Sequence, residues 1–270
     1  MKFIELLHKI KSVQIQGATN IAKEGVKALK ITKDPKCIQQ LIETRPTEPA
    51  LKNAIHYAQK HSVEEALAHF EETDKKISKL GADLIKDKSI IYTHCHSSSV
   101  VDIIIEAKKR GKHFAVNNTE TRPLFQGRRT SRDMAKYKIE NYHFVDSAMR
   151  AAIKQSNLVL LGCDAITKTK VINKIGSELV AETAQRFKIP LYICTDSWKF
   201  DPTTTHGQET PIEYRGEKEI WKDHPKNTVI INPAFEHINP KLIKGIISEL
   251  GILSFDEFVK KASKTLNSKR

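Results

Sequence analysis

Apolar residues recur at helical spacing from the start of the chain to about residue 86. Phe3, Leu6, Leu7 and Ile10 form one face, and Ile21, Val26 and Leu29 another. Asp34-Pro35 opens a third helix through Leu41, and Arg45-Pro46-Thr47 separates it from a fourth over 51–61. Ser62-Val63-Glu64-Glu65 has the form of a capping box and starts a longer helix ending near Gly81.

From Lys88 the period changes. Short apolar and β-branched runs at 90–93, 114–117, 143–146, 158–162, 191–195 and 229–232 predict strands. Amphipathic stretches at 100–110, 132–140, 148–155 and 178–187 predict helices between them. Strands alternating with helices imply βαβ units and a parallel sheet covered on both faces. The expected fold is α/β: a helical N-terminal domain over 1–86, then a Rossmann-like parallel-sheet domain over 87–270. Ligands of such sheets lie beyond the carboxyl ends of the strands.

Composition changes this picture little. The 270 residues carry a net charge of +13, which favours anionic partners such as phosphorylated metabolites, nucleic acid or an acidic protein. The basic residues are spread along the chain, so the charge alone selects none of them. No apolar run is long enough for a membrane span, and charges interrupt the apolar N-terminus, so no signal peptide is expected. Cys37, Cys95, Cys163 and Cys194 are widely spaced, as in a reducing cytoplasmic setting and unlike a disulfide framework.

The candidate chemistry gathers at strand ends. The run 89–93 leads into His94-Cys95-His96-Ser97-Ser98-Ser99 and then a helix, so Cys95 should sit at a strand end beside a helix N-terminus. Helix dipole and free N–H groups there favour a thiolate, and the serines and backbone amides offer an anion cradle. Asp164 follows the apolar run 158–162 and emerges at the same edge. A carboxyl against apolar walls has a raised pKa and suits a general acid, although a helix cap or ribose contact reads equally well. Asn173-Lys174-Ile175-Gly176-Ser177 opens a helix as a second phosphate cradle or as a plain cap, and Lys199 projects after the run 191–195. Arg122, Arg128 and Arg129 with Gln126 follow another strand, as an oxyanion site or a solvated loop. His94 and His96 could share a face, but no third ligand completes a metal set.

Thr93-His94-Cys95-His96-Ser97, Glu120 to Gly127, Gly162-Cys163-Asp164-Ala165-Ile166 and Val171 to Gly176 together resemble one superfamily. It holds ribose 1,5-bisphosphate isomerase, methylthioribose 1-phosphate isomerase and the regulatory alpha, beta and delta subunits of the eukaryotic translation initiation exchange factor. The likeness runs from about Gln16 to Lys261 and is greatest to the ribose 1,5-bisphosphate isomerases. It implies that Cys95 and Asp164 are catalytic. It implies substrate contacts at Gln16, Gly17, Ala18, Thr19, Arg45, Ser97, Ser98, Ser99, Asn173, Lys174 and Lys199. Gln16 stands where the family carries an arginine.

The implied reaction is aldose–ketose isomerisation of a sugar bisphosphate by proton transfer, with no metal or redox cofactor. The implied assembly is a cytoplasmic homo-oligomer built from dimers, up to a hexamer, without nucleic acid or membrane partners. Two alternatives remain open at this level: a non-catalytic regulatory subunit that senses a nucleotide or sugar phosphate, and an isomerase of methylthioribose 1-phosphate.

Overall fold

A computed structural model of the chain describes residues 3–204 and 212–268. Five helices come first: α1 (Phe3–Lys11), α2 (Ala18–Ala28), α3 (Pro35–Ile42), α4 (Pro49–Lys60) and α5 (Val63–Leu84). Ser62 caps α5 as expected: its Oγ accepts from the Glu65 amide at 3.0 Å and donates to the Glu65 carboxylate at 3.0 Å. Asp34 caps α3 by accepting from the Lys36 amide, so Pro35 at the first turn forfeits no hydrogen bond.

The remainder alternates as expected through β1 (Ser89–Thr93), α6 (Ser98–Lys109), β2 (Phe114–Thr119), α7 (Gln126–Lys136), β3 (Glu140–Phe144), α8 (Met149–Lys154) and β4 (Leu158–Leu161). Then come β5 (Ala165–Ile166), β6 (Val171–Lys174), α9 (Ser177–Arg186), β7 (Leu191–Cys194), β8 (Phe235–Ile238), β9 (Gly245–Ser248), β10 (Gly251–Leu253) and α10 (Phe255–Ser268). Seven strands form one sheet in the order β10-β9-β7-β4-β1-β2-β3, parallel except for β10. From β1 the chain first builds outward through β2 and β3, then returns to the other flank with β4. The order therefore reverses between β1 and β4, and the crevice outside their carboxyl ends is where such a sheet takes a ligand.

Three expectations are corrected. Residues 229–232 are not a strand: Val229 is 82% and Ile231 65% exposed, and the strand falls at Phe235–Ile238. That strand joins β5 and β6 in a small antiparallel sheet that the parallel pattern did not predict, because its strands are only two to four residues long. The helix expected over 132–140 runs instead from Gln126 to Lys136, and Glu140 opens β3. Its buried face is Gly127, Thr130 and Met134, too polar to register as an apolar stripe.

The helical layer packs directly on the sheet layer, with α5 against α6 and β9. One hydrophobic core runs across the junction, from Leu6, Ile55 and Phe70 to Trp198, Phe200 and Phe258. Each such fully buried large side chain contributes roughly 1.5–3 kcal/mol of apolar transfer free energy. Asn53 on α4 donates to the carbonyls of Trp198 (2.8 Å) and Phe200 (3.0 Å). The helical layer thus fixes the turn that carries Lys199.

Candidate active site

The reversal point of the sheet opens into a cleft with an empty volume of about 960 Å³, open mouth included. The first turn beyond β1 is built around Cys95, whose φ of 64° is left-handed. A side chain with a Cβ adopts that conformation only when its surroundings hold it there. Here the Cys95 amide donates to Thr121 Oγ1 at 3.0 Å, and its carbonyl accepts from Thr130 Oγ1 at 2.8 Å. The neighbouring histidines are committed elsewhere. His94 Nε2 lies 2.8 Å from the Ile175 carbonyl, which can only accept, so Nε2 carries the proton. Its Nδ1 then accepts from Thr119 Oγ1 at 3.0 Å. His96 Nδ1 pairs with Thr130 Oγ1 at 3.1 Å, and burial, then Arg129, pushes its imidazole down to about 4. Neither histidine is placed to act as base for Cys95, and the described residues hold no group of three metal-ligating side chains.

The turn beyond β4 carries Gly162, Cys163 and Asp164. Gly162 is required: a Cβ there would lie 2.5 Å from Ser97 Oγ, so the two turns touch across the crevice. The Cys163 thiol faces Thr195 Oγ1 at 3.2 Å, and its carbonyl accepts from Lys199 Nζ at 2.9 Å. Burial raises the Asp164 carboxyl, and Lys199, Lys174 and Arg215 counter that rise. A desolvated, partly compensated carboxyl of this kind can keep a proton for general-acid work. For Lys199, burial opposes the charge, but Cys163, Asp196 and Asp164 outweigh it and raise its pKa.

The expectation of a Cys95 thiolate is corrected. Burial pushes the thiol up to about 11, against the opposing pull of Lys174 and the His96 amide. Desolvation outweighs the pull of the helix terminus.

Two helices point their starts into the cleft. The caps of α2 and α6, Gly17 and Ser97, make no side-chain capping bond, and Gly17 has a φ of 87°, which glycine tolerates. Helix α9 differs: the Glu236 carboxylate accepts from its Glu178 amide at 2.8 Å, so its N-terminus already holds an anion. Uncapped N-termini are the ready anion sites of a fold.

Of the residues named from sequence, Gln16, Gly17, Ala18, Thr19, Arg45, Cys95, Ser97, Ser98, Asp164, Asn173, Lys174 and Lys199 all line this cleft. Ser99 does not; it is buried in the first turn of α6. Asn173 and Lys174 sit on β6 and not on a helix-opening loop. The arginine cluster divides: Arg129 and Gln126 reach the cleft. Arg122 and Arg128 instead stack on the Phe125 ring, with guanidinium carbons 5.0 and 3.7 Å from its centre.

Sequence reading missed Glu48, Arg215 and Glu213, the carboxylate that pairs with Arg215 and Arg45. Glu213 lies 3.2 Å from Arg45 Nη1 and 3.0 Å from Arg215 Nε. Glu48 directly precedes Pro49 at the start of α4 and so reads as an ordinary helix-start acid; its burial is the feature that sets it apart. Nothing in the apolar pattern singles out Arg215.

Known proteins share the sequence and the fold. The ribose 1,5-bisphosphate isomerase of Thermococcus kodakarensis is 33% identical over 93% of this chain and 90% of its own length. The one from Methanocaldococcus jannaschii is 34% identical over 92% and 90%. The crystal structure of the Pyrococcus horikoshii translation initiation factor eIF-2B superposes with a TM-score of 0.85 at 29% identity, covering 93% of this chain and 96% of that one. The profile of the Initiation factor 2 subunit family matches residues 6–255. Sequence, sheet order and cleft thus lead to one assignment: the chain belongs to the Initiation factor 2 subunit family.

Proposed function

We propose that the protein is a ribose 1,5-bisphosphate isomerase that converts the aldose bisphosphate to ribulose 1,5-bisphosphate. The observation that carries this reading is the convergence, in one cleft, of a half-buried carboxyl and a half-buried thiol between two uncapped helix N-termini. An aldose–ketose isomerase needs an acid, a base and sites for phosphate. The relatives named ribose 1,5-bisphosphate isomerase span the same length of chain, which supports catalysis over a purely regulatory role.

In this reading Asp164 gives its proton to the ring oxygen, and the bond from that oxygen to C1 breaks. Cys95, as thiolate, removes the C2 proton to form an enol. The Cys95 thiol returns that proton to C1, and the Asp164 carboxylate recovers a proton from the C2 hydroxyl as the ketone forms. Both groups end as they began, so the proton inventory closes. Because the resting thiol is held near 11, Cys95 releases that proton to solvent before the second step and regains it from solvent after turnover, with Lys174 offsetting the charge that forms.

The N-termini of α2 and α6 with Lys174 and Arg129 serve the phosphates. Residues 1–86 act as the helical domain over the site and 87–270 as the catalytic domain. The protein works as a cytoplasmic homo-oligomer built from dimers.

Turnover of ribose 1,5-bisphosphate by the purified protein tests the reading. Formation of ribulose 1,5-bisphosphate, lost in Cys95→Ser and Asp164→Asn, is the expected result. An inert wild type would overturn it and leave a ligand-binding regulator.

A further inference from the structure

Within the cleft, two neighbouring buried groups have an atom left without a hydrogen-bond partner: Arg45 Nε and Glu48 Oε2. Both side chains are almost wholly buried, at 7% and 5% exposure. Leaving such groups unpaired is costly, so a buried pair of orphans facing a cleft marks a place where a ligand supplies the partners. The rest of the Arg45 guanidinium is engaged. Arg45 Nη1 faces both Glu213 oxygens at 3.2 and 3.3 Å, and Nη2 donates to the Ile10 carbonyl at 3.0 Å. Glu48 Oε1 stands 3.8 Å from Arg45 Nε, so the two side chains are neighbours that do not satisfy each other.

The chemistry of the missing partner follows from what each orphan needs. Arg45 Nε–H can only donate, and a carboxylate oxygen can only accept. A hydroxyl does both: its oxygen accepts from Arg45, and its proton goes to Glu48. A phosphate oxygen offers no proton, so it would satisfy Arg45 but leave the accepting oxygen of Glu48 unpaired. The surroundings are also poor for an anion. Glu48 feels Asp164 and Glu213 as repelling charges, opposed by Arg45 and Lys199. Glu213 pairs with both Arg45 and Arg215.

We propose that Arg45 Nε and Glu48 Oε2 form a hydroxyl-reading subsite that recognises a ring hydroxyl of the sugar phosphate, apart from its phosphates. This rests on the sugar-phosphate reading above and makes Glu48 a specificity-determining residue of the cleft.

The test is calorimetric titration of the whole protein with ribose 5-phosphate, 2-deoxyribose 5-phosphate, 3-deoxyribose 5-phosphate and inorganic phosphate. Wild type should bind one of the two deoxy sugars about 10- to 100-fold more weakly than ribose 5-phosphate, since removing the hydroxyl strands both orphans again. Glu48→Ala should reduce that ratio to about twofold or less and leave the affinity for inorganic phosphate unchanged. Glu48→Gln keeps the volume and an accepting oxygen, so it should retain most of the ratio and guards against a misfolded alanine variant. Equal binding of all three sugars by wild type, undiminished discrimination in Glu48→Ala, or a parallel loss of inorganic phosphate binding would each overturn the proposal. Turnover of ribose 1,5-bisphosphate is read separately: a wild type that discriminates but does not turn over would overturn the isomerase reading alone.

Discussion

The turns beyond β1 and β4 face each other across the crevice, and each places a cysteine in the cleft. Beyond β1 the backbone is forced into a left-handed turn at Cys95, whose main chain is clamped by Thr121 and Thr130. Its thiol faces Lys174 and the His96 amide. Beyond β4, the Cys163 thiol is committed to Thr195 Oγ1 and its carbonyl to Lys199, and the next residue, Asp164, brings the titratable group. In the proposed reaction, equivalent sheet positions thus give one turn a thiol base and the other a carboxyl acid. The difference lies in what packs on each sulfur, since burial pushes both thiols up, to about 11 and about 12.

Removing the working group from each turn should have the largest effect. Cys95→Ser and Asp164→Asn should each lower kcat for ribose 1,5-bisphosphate by about 10²–10⁴-fold, while circular dichroism and inorganic phosphate affinity stay as in wild type. The resting protonation of Cys95 sets the next expectation. With the thiol near 11, the thiolate fraction rises about tenfold per pH unit below that value. The kcat/KM of wild type should therefore climb with pH through the neutral range, until Asp164 loses its proton. A profile flat between pH 6 and 9 would show that Cys95 does not titrate as the limiting base.

Gly162→Ala tests the contact between the two turns. Its Cβ would press on Ser97 Oγ, 2.5 Å away, at the cap of α6. Displacing that cap should cost roughly tenfold to a hundredfold in kcat/KM, read in steady-state kinetics, with about 1–3 kcal/mol lost in denaturant unfolding.

Glu48 bears on the β4 side of the cleft by crowding Asp164. Burial, then Asp164, raises its carboxyl from 4.5 to about 8. Between these values the folded protein binds more protons than the unfolded chain, so stability from this group is full below 4.5 and is lost as pH rises through 8. Glu48→Gln should flatten that slope and stabilise the ligand-free protein by about 1–2 kcal/mol at pH 8. Urea unfolding at pH 5 and pH 8 measures it. Cys163→Ala should matter least, since it removes one thiol–hydroxyl contact from a buried site. A change in kcat of more than about fivefold, where removal of a true acid–base group costs 10²–10⁴-fold, would mean that the two turns share the chemistry.

The alternation of apolar runs determined the helical start, the parallel sheet and the strand ends on which Cys95 and Asp164 fall. These features were legible because side-chain period and strand polarity are local properties of the chain. The motif resemblance brought in Gln16 and Arg45, which share no local pattern with the two turns, whereas Asn173, Lys174 and Lys199 were already marked by their places after apolar runs.

Tertiary structure alone decided the rest. The small sheet β5-β6-β8 is made of strands too short to register, and α7 turns a polar face inward because it packs over β2 and β3. The state of Cys95 inverted the local expectation, because desolvation by the whole fold exceeds the pull of one helix terminus. Glu48 looked like a surface acid at a helix start, and only the packing of α4 against the Trp198 turn encloses it. Burial is a sum over elements distant in sequence, so a chain read residue by residue cannot supply it.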